Sequence, residues 1–430
     1  MVQKKTAWYE TPVIKDMMAL VGGRALRAVM STFCSSKIYQ GKTALLRVAR
    51  YLEASLDKED RRALIITDSF TEKFVKKVTV YLDLIEMEYK VWTGAVPEVP
   101  ISTVYEGAKI CEEYKPQVLI ALGGGSVMDT TKMVMVKYEK PETNLMMILP
   151  YFGSLGLRKK MKHFLAIPTT SGTGSEVTQA AVITDTDREP PKKLVVLSDE
   201  IYADITILFT DFVKDMPPFL TMATGLDAFS HATGSYISNW GSPYSDAMNS
   251  TAIKEVVKYL PRAYKYGAKD IEAREHMQMA ALMAGIGFGN TTAGIDHALG
   301  HSFGKIFGVH HGLSVGMFAP YSIDFQAKIT DRWRALCPIF NVKVENKSRD
   351  ELYKEFLQAV KNFIVSIDGP ICVKDLKNPV ISKEDYFSKL DLLAEYADDD
   401  AVSLTSFRTI NRKLYRTIFE YAWDGKDIDF

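Results

Sequence analysis

A parallel α/β domain followed by an all-helical domain is the fold class that this 430-residue chain predicts. Two observations carry it. Up to about residue 210, short β-rich runs alternate with helical stretches, the pattern of a parallel sheet covered by helices. After Pro217-Pro218, helical periodicity dominates to the last residue. The boundary therefore falls near 210–218. It divides the chain into an N-terminal extension (1–35), an α/β domain (36–214) and a helical domain (215–430).

The elements follow in order. Ala63-Leu64-Ile65-Ile66-Thr67 is an apolar run of buried-strand length that stops at Asp68, and Tyr89-Lys90-Val91-Trp92 is a shorter one. The clearest strand is 117–122, halted by Gly123-Gly124-Gly125. Further strands are expected at 163–167, 181–184 and 194–197. The last two form a β-ribbon about a polar turn that contains Pro190 and Pro191. A run at 206–211 reads as the strand before the helical domain. Beyond it, amphipathic patterns predict helices over 245–260, 271–284 and 407–423.

Composition narrows the function. Lys+Arg and Asp+Glu both number 53. There is thus no global field to attract nucleic acid or an anionic membrane, and no basic stripe interleaved with aromatics. No apolar stretch approaches a membrane span, and the N-terminus lacks the apolar core of a signal peptide. Cys34, Cys111, Cys337 and Cys372 include no CxxC pair, so they read as reduced, mostly buried thiols of a cytoplasmic protein.

The strand at 117–122 runs into Gly123-Gly124-Gly125-Ser126-Val127-Met128-Asp129-Thr130-Thr131-Lys132. Glycines at a strand end let the backbone turn sharply and let a ligand approach. The helix that follows offers free N–H groups and a positive dipole end, which suit a pyrophosphate. A tight strand-to-helix turn is the bland alternative. Against it stands a second polar stretch, Pro168-Thr169-Thr170-Ser171-Gly172-Thr173-Gly174-Ser175-Glu176, which places hydroxyls at another strand end. Asp68 has two readings of equal weight. Its carboxylate would accept hydrogen bonds from a ribose and repel a 2′-phosphate, favouring NAD over NADP, or it caps the helix that starts near Thr71.

Six of the seven histidines lie between His231 and His311. Asp227 and His231 are four residues apart, as are His297 and His301, so each pair shares one face of a helix. His311 follows just before Gly312. Carboxylate and imidazole together favour a borderline divalent ion such as Fe2+ or Zn2+ over Ca2+ or Mg2+. A zincin-type peptidase is excluded because Ala298 stands where its general-base glutamate belongs. His163 and His276 lie outside the pattern, as surface or core residues. His310 and His311 are adjacent and cannot both face one ion from a regular helix.

With these motifs the chain resembles the iron-dependent (group III) alcohol dehydrogenases. The resemblance rests on GGGSVMDTTK, IPTTSGTGSEVT (167–178), ATGLDAFSHA (223–232), GIDHALGH (294–301) and the His311-Gly312 step, in the family's order. It implies a dehydroquinate synthase-like architecture: an N-terminal dinucleotide-binding α/β domain and an all-α C-terminal domain, with the site in the cleft. It implies that Asp227, His231, His297 and His311 hold Fe2+, with Zn2+ as the substitute, and that His301 relays a proton or positions the nicotinamide. Gly124, Gly125, Ser126 and Asp129 match the family's nucleotide loop, and Thr169, Thr170 and Thr173 its second cofactor loop. Lys193 matches a lysine that reaches the ribose, and Asp68 the position that favours NAD.

The implied activity is hydride transfer between a small primary alcohol or aldehyde and NAD(P), in a homodimer or larger homo-oligomer. Its rivals are a polyol or hydroxy-acid dehydrogenase of the same superfamily (glycerol, 4-hydroxybutyrate), a dehydroquinate-synthase-like lyase, and a metal- and nucleotide-binding protein without catalysis. The four-ligand set favours the alcohol dehydrogenase. Two features depart from the family pattern: the extension bearing Trp8 and Tyr9, and Phe209 where an acidic residue is expected.

Overall fold

The computed structural model describes residues 11, 35–148, 154–188 and 191–430. Most of the N-terminal extension, with Trp8, Tyr9 and Cys34, lies outside the described residues, as does Pro190. The chain forms two compact units, one ending at Asp215 and the other running from Met216 to Phe430.

The first unit is built on a six-stranded sheet: β1 (Lys37–Gln40), β2 (Arg62–Ile66), β3 (Glu88–Trp92), β4 (Val118–Gly123), β5 (His163–Pro168) and β8 (Ile205–Leu208). Its order is β1-β8-β5-β4-β2-β3, parallel throughout. Helices α1 (Ala44–Ser55), α2 (Val75–Asp83), α3 (Ile101–Tyr114) and α4 (Gly125–Glu139) link the strands. Ala63, Leu64, Ile65 and Ile66 in β2, and Val118 to Leu122 in β4, are fully buried. Burial on both faces explains why these strands read as continuous apolar runs. The remaining pair, β6 (Ala180–Asp185) and β7 (Lys192–Leu197), forms a separate antiparallel ribbon.

The strand order locates a ligand crevice. From β2 the chain steps outward to β3, then returns across β2 to β4, so the order reverses between β2 and β4. Open α/β sheets bind ligands beyond the carboxyl ends of the strands at such a point. The segments that leave β2 and β4 there carry Asp68 and the glycine run.

Two expectations need correction in this unit. β1 was not among the expected strands: Lys-Ile-Tyr-Gln is an exposed edge with no apolar run, held through pairing with β8. The strand expected over 206–211 instead stops at Leu208 and turns into a 3-10 helix, Thr210–Phe212. Phe212 turns into the core there, packing edge-on against Phe74 and Phe209 at ring separations of 5.3 and 5.2 Å.

The second unit is helical: α5 (Pro218–Ile237), α6 (Pro243–Tyr266), α7 (Ile271–Gly289), α8 (Ile295–Phe307), α9 (His311–Ala327), α10 (Arg349–Val365), α11 (Lys383–Ser388), α12 (Leu390–Asp398) and α13 (Arg412–Asp424). α5 starts with Pro218 in its first turn, where a missing N–H costs nothing. It is buried along nearly its whole length, the mark of a core helix rather than a surface one. The last helix starts at Arg412 rather than 407. The Asn411 side chain accepts a hydrogen bond from Leu414 N (3.0 Å) and fixes the start. No helix among the described residues is long and apolar enough to cross a membrane.

Candidate functional site

Three helices of the second unit converge on one carboxylate oxygen. α5 carries Asp227 and His231 one turn apart, α8 carries His297 and His301 one turn apart, and α9 begins at His311. α9 can approach α5 because Gly312 has no side chain: a Cβ there would collide with the Ala223 carbonyl oxygen and stand 3.1 Å from the Asp227 Cβ. Around Asp227 Oδ1 lie His311 Nε2 at 3.4 Å, His297 Nε2 at 3.6 Å and His231 Nδ1 at 3.7 Å.

These separations are too long for good hydrogen bonds. Asp227 Oδ1, His231 Nδ1 and His297 Nε2 are buried with no hydrogen-bond partner among the described residues. Leaving several buried polar atoms unsatisfied is costly, and a cation satisfies them together. Donors about 2.1 Å from a tetrahedral ion stand about 3.4 Å from one another, close to the spacing found here. The donor atoms of Asp227, His297 and His311 also all lie within 4.8 Å of one another, whereas His231 stands outside that group and its Nδ1 approaches Asp227. Asp227, His297 and His311 therefore fit a divalent metal ion, with His231 beside them.

The electrostatics agree. Burial alone would raise Asp227, but the imidazoles of His231, His311 and His297 hold it well below the carboxylate range, so it stays ionised. Burial pushes His231 down to about 3, leaving it neutral with a lone pair to offer. Its ring stacks between Phe288 (centroids 4.0 Å apart) and His297 (4.4 Å), which fixes its plane. Burial would also lower His297, yet the carboxylates of Asp227 and Asp296 beside its two nitrogens raise it to about 9, so a metal ion entering the cluster displaces a proton from this ring.

His301 lies beside this cluster, its ring 5.1 Å from that of His311. Its Nδ1 is 2.8 Å from Asp400 Oδ2, while Asp400 Oδ1 accepts a hydrogen bond from Val402 N at 3.1 Å. The other histidines are elsewhere. His310 packs edge-on against Phe219. His276 stacks on Tyr259 and pairs with Glu255, and His163 is bonded to Ser55.

In the first unit Asp68 follows β2, the glycine run follows β4, and Thr169, Thr170 and Thr173 follow β5, whereas Lys193 lies on the separate β6-β7 ribbon. Gly124 precedes α4, whose first turn includes Gly125 and Ser126. A Cβ on Gly125 would stand 2.8 Å from Thr173 Cγ2, and one on Gly124 3.3 Å from Thr170 Cγ2. The two loops are therefore interlocked, and the absence of side chains lets them be. Thr169 N donates to Gly123 O (3.0 Å), tying the end of β5 to that of β4. Thr67 Oγ1 donates to Leu122 O (2.8 Å), tying the end of β2 to the same place.

Asp68 is half-buried and its Oδ1 accepts from Phe70 N, Thr71 N and Thr71 Oγ1, each at 2.8 Å. The capping role is thus present, and these bonds all fall on one of its two oxygens. Both carboxylate oxygens of Asp129 are engaged within the protein: Oδ1 accepts from Ser175 Oγ (2.6 Å) and Oδ2 from Val182 N (2.9 Å). Lys193 is 3.1 Å from Glu98 Oε2.

Some neighbours of these sites were not foreseen. Lys132 is fully buried and donates to Ser175 Oγ (3.0 Å), Thr178 Oγ1 (3.1 Å) and Ala180 O (2.6 Å), pinning the second loop to α4. The same surroundings bury Glu176, which is pushed up to about 7. Asp296 and Asp400 are the others. The Asp296-His297 dipeptide could have flagged the first. Nothing in the run Asp398-Asp399-Asp400 distinguishes the third residue as the partner of His301.

A glycine-rich loop at the switch point of an α/β unit and a His/Asp cluster in a helical unit are the two features that a metal-dependent nicotinamide oxidoreductase needs. The chain matches the family described as "Iron-containing alcohol dehydrogenase" over residues 35–210, and "Fe-containing alcohol dehydrogenase family, C-terminal" over 221–423. It is 32% identical over 397 residues to the NADPH-dependent butanol dehydrogenase of Clostridium saccharobutylicum, covering 91% of this chain and 98% of the relative. It is 30% identical over 366 residues to lactaldehyde reductase of Escherichia coli K12, covering 84% and 92%. Among solved structures, the iron-containing alcohol dehydrogenase of Thermococcus thioreducens superposes with a TM-score of 0.79 at 28% identity, over 92% of this chain and all of that one. The chain belongs to the iron-containing alcohol dehydrogenase family of metal-dependent alcohol and aldehyde oxidoreductases.

Proposed function

We propose that this protein interconverts small primary alcohols and their aldehydes with NAD(H) as the preferred cofactor. In this reading Asp227, His231, His297 and His311 hold Fe2+. The observation that carries it is the set of three imidazole nitrogens 3.4–3.7 Å from Asp227 Oδ1. A divalent ion held there supplies Lewis acidity, which lowers the pKa of an alcohol hydroxyl or polarises an aldehyde carbonyl.

The protein's residues do the rest. Asp227 brings the one charge of the ligand set, and with the ion bound the three imidazoles would be neutral donors of intermediate softness. Asp400 accepts the Nδ1 proton of His301, which leaves Nε2 to take the hydroxyl proton during alcohol oxidation and return it during reduction. The N–H groups at the start of α4, next to Gly124, Gly125 and Ser126, cradle the pyrophosphate. Thr169, Thr170 and Thr173 add hydroxyls at the neighbouring strand end, and Lys193 reaches the ribose.

Asp68 keeps one carboxylate oxygen for the adenosine ribose. Its charge opposes a 2′-phosphate, which favours NAD although the butanol dehydrogenase relative is named for NADPH. Asp129 acts behind the loop, holding Ser175. The free, buried thiols of Cys111, Cys337 and Cys372 suit a reducing compartment, and we place the protein in the cytoplasm.

The test is nicotinamide absorbance with 1-butanol, 1,2-propanediol, glycerol and 4-hydroxybutyrate and the matching aldehydes, on anaerobically purified protein of measured metal content. His297→Ala loses metal and turnover but still binds NAD. Full activity of that variant after chelation would sink the metal role, and no turnover of any substrate would leave a non-catalytic binding protein.

A further inference from the structure

One buried carboxylate beside the metal cluster belongs to none of the four ligands. Asp296 precedes His297 on α8, is 1% exposed, and its Oδ1 lies 2.5 Å from His297 Nδ1. The other ring nitrogen, Nε2, faces Asp227 Oδ1 at 3.6 Å. The two nitrogens of an imidazole point in different directions, so a bond at one aims the other and settles which of them bears the proton.

The fold makes room for this carboxylate at some cost. A Cβ on Gly234 of α5 would stand 2.9 Å from Asp296 Oδ2 and 2.6 Å from Gly294 N, and a Cβ on Gly294 would stand 2.8 Å from Asp296 Oδ2. Oδ2 is buried with no hydrogen-bond partner among the described residues. Burying a second carboxylate so near Asp227 is unfavourable on its own. A divalent cation among the imidazoles reverses that, because Asp227 and Asp296 together match its charge.

We propose that Asp296 is a positioning residue for the metal centre. It accepts the Nδ1 proton of His297, holds the Nε2 lone pair toward the ion, and adds a negative charge that tightens retention of the ion. The inference rests on the metal reading given above. Carboxylates that orient a metal-bound histidine in this way typically contribute 10- to 100-fold in metal affinity.

The experiment measures Zn2+ affinity of the full-length protein by competition with a chromogenic chelator, together with the visible spectrum of the Co2+-substituted protein. Wild type, Asp296→Asn, Asp296→Ala and Asp227→Ala are compared, with thermal unfolding of each metal-free form as a check on folding. Asp296→Asn keeps the volume and removes the charge. It is expected to bind Zn2+ about 10-fold or more weakly and to shift the Co2+ bands, with Asp296→Ala weaker still. Affinity within twofold of wild type and an unchanged Co2+ spectrum in a folded Asp296→Asn or Asp296→Ala protein overturns the inference and leaves the metal site intact. If Asp227→Ala binds Zn2+ as wild type does, the metal site itself is wrong and the inference falls with it.

Discussion

His301 Nδ1 and Asp400 Oδ2 lie 2.8 Å apart, although one sits in the middle of α8 and the other just beyond the end of α12. The pairing orients the imidazole and fixes which of its nitrogens carries the proton. Removing the carboxylate should therefore affect proton transfer more than binding. Asp400→Asn is expected to lower kcat about 10- to 100-fold, with metal content and the KM for NAD unchanged. Steady-state kinetics with metal analysis decides: an unchanged kcat means His301 does not relay the proton, and lost metal means Asp400 supports the cluster instead.

Asp68 offers a clean test of cofactor choice. Asn at this position retains an oxygen able to accept the bonds from Phe70 and Thr71 that shape the loop, and removes the charge. The ratio of kcat/KM for NADP to that for NAD should rise by about tenfold or more in Asp68→Asn, equivalent to about 1.4 kcal/mol. A ratio that does not move would show that the carboxylate serves the turn alone.

Glu176 predicts a pH dependence of stability. Burial raises its carboxyl from an ordinary 4.5 to about 7 in the folded protein. A group raised in this way contributes stability that is present in full below its unfolded value and is lost as pH rises through its folded one. Between about pH 4.5 and about pH 7 the wild type should lose up to roughly 3 kcal/mol on this account. Glu176→Gln should lack that loss, so the difference in Tm between variant and wild type grows with pH. A constant difference would show that Glu176 titrates normally.

Gly312 links packing to the proposed metal site. Adding one methyl group forces α9 away from the Ala223 carbonyl on α5, and overpacking of this kind costs about 1–3 kcal/mol. Because the shift separates His311 from Asp227, Gly312→Ala should lose bound metal as well as lowering Tm. Retention of a full metal equivalent would show that the helices relax without parting the ligands.

Much of the fold was legible because burial on both faces leaves a simple trace. β2 and β4 are enclosed by helices, so their apolar runs were visible, and the glycines after β4 marked its end. β1 left no such trace, since an exposed edge strand needs hydrogen-bond partners but no apolar side chains. The start of the last helix was misplaced because the side chain of Asn411, not periodicity, sets it.

The site divides in the same way. Helical spacing alone paired Asp227 with His231 and His297 with His301, because residues four apart share a helix face whatever surrounds them. Strand ends and glycines likewise marked the two loops that meet beyond β4 and β5. Which atoms meet was a matter of packing. Gly312 lets α9 close on α5 and brings His311 to Asp227, and Gly234 and Gly294 open the space that Asp296 fills. Asp400 reaches His301 from another element altogether. Contacts between distant segments depend on the sum of many side-chain volumes, and no local run of residues encodes that sum. The sequence thus fixes which donors each helix carries, while the packing of α5, α8 and α9 fixes that they converge on one point.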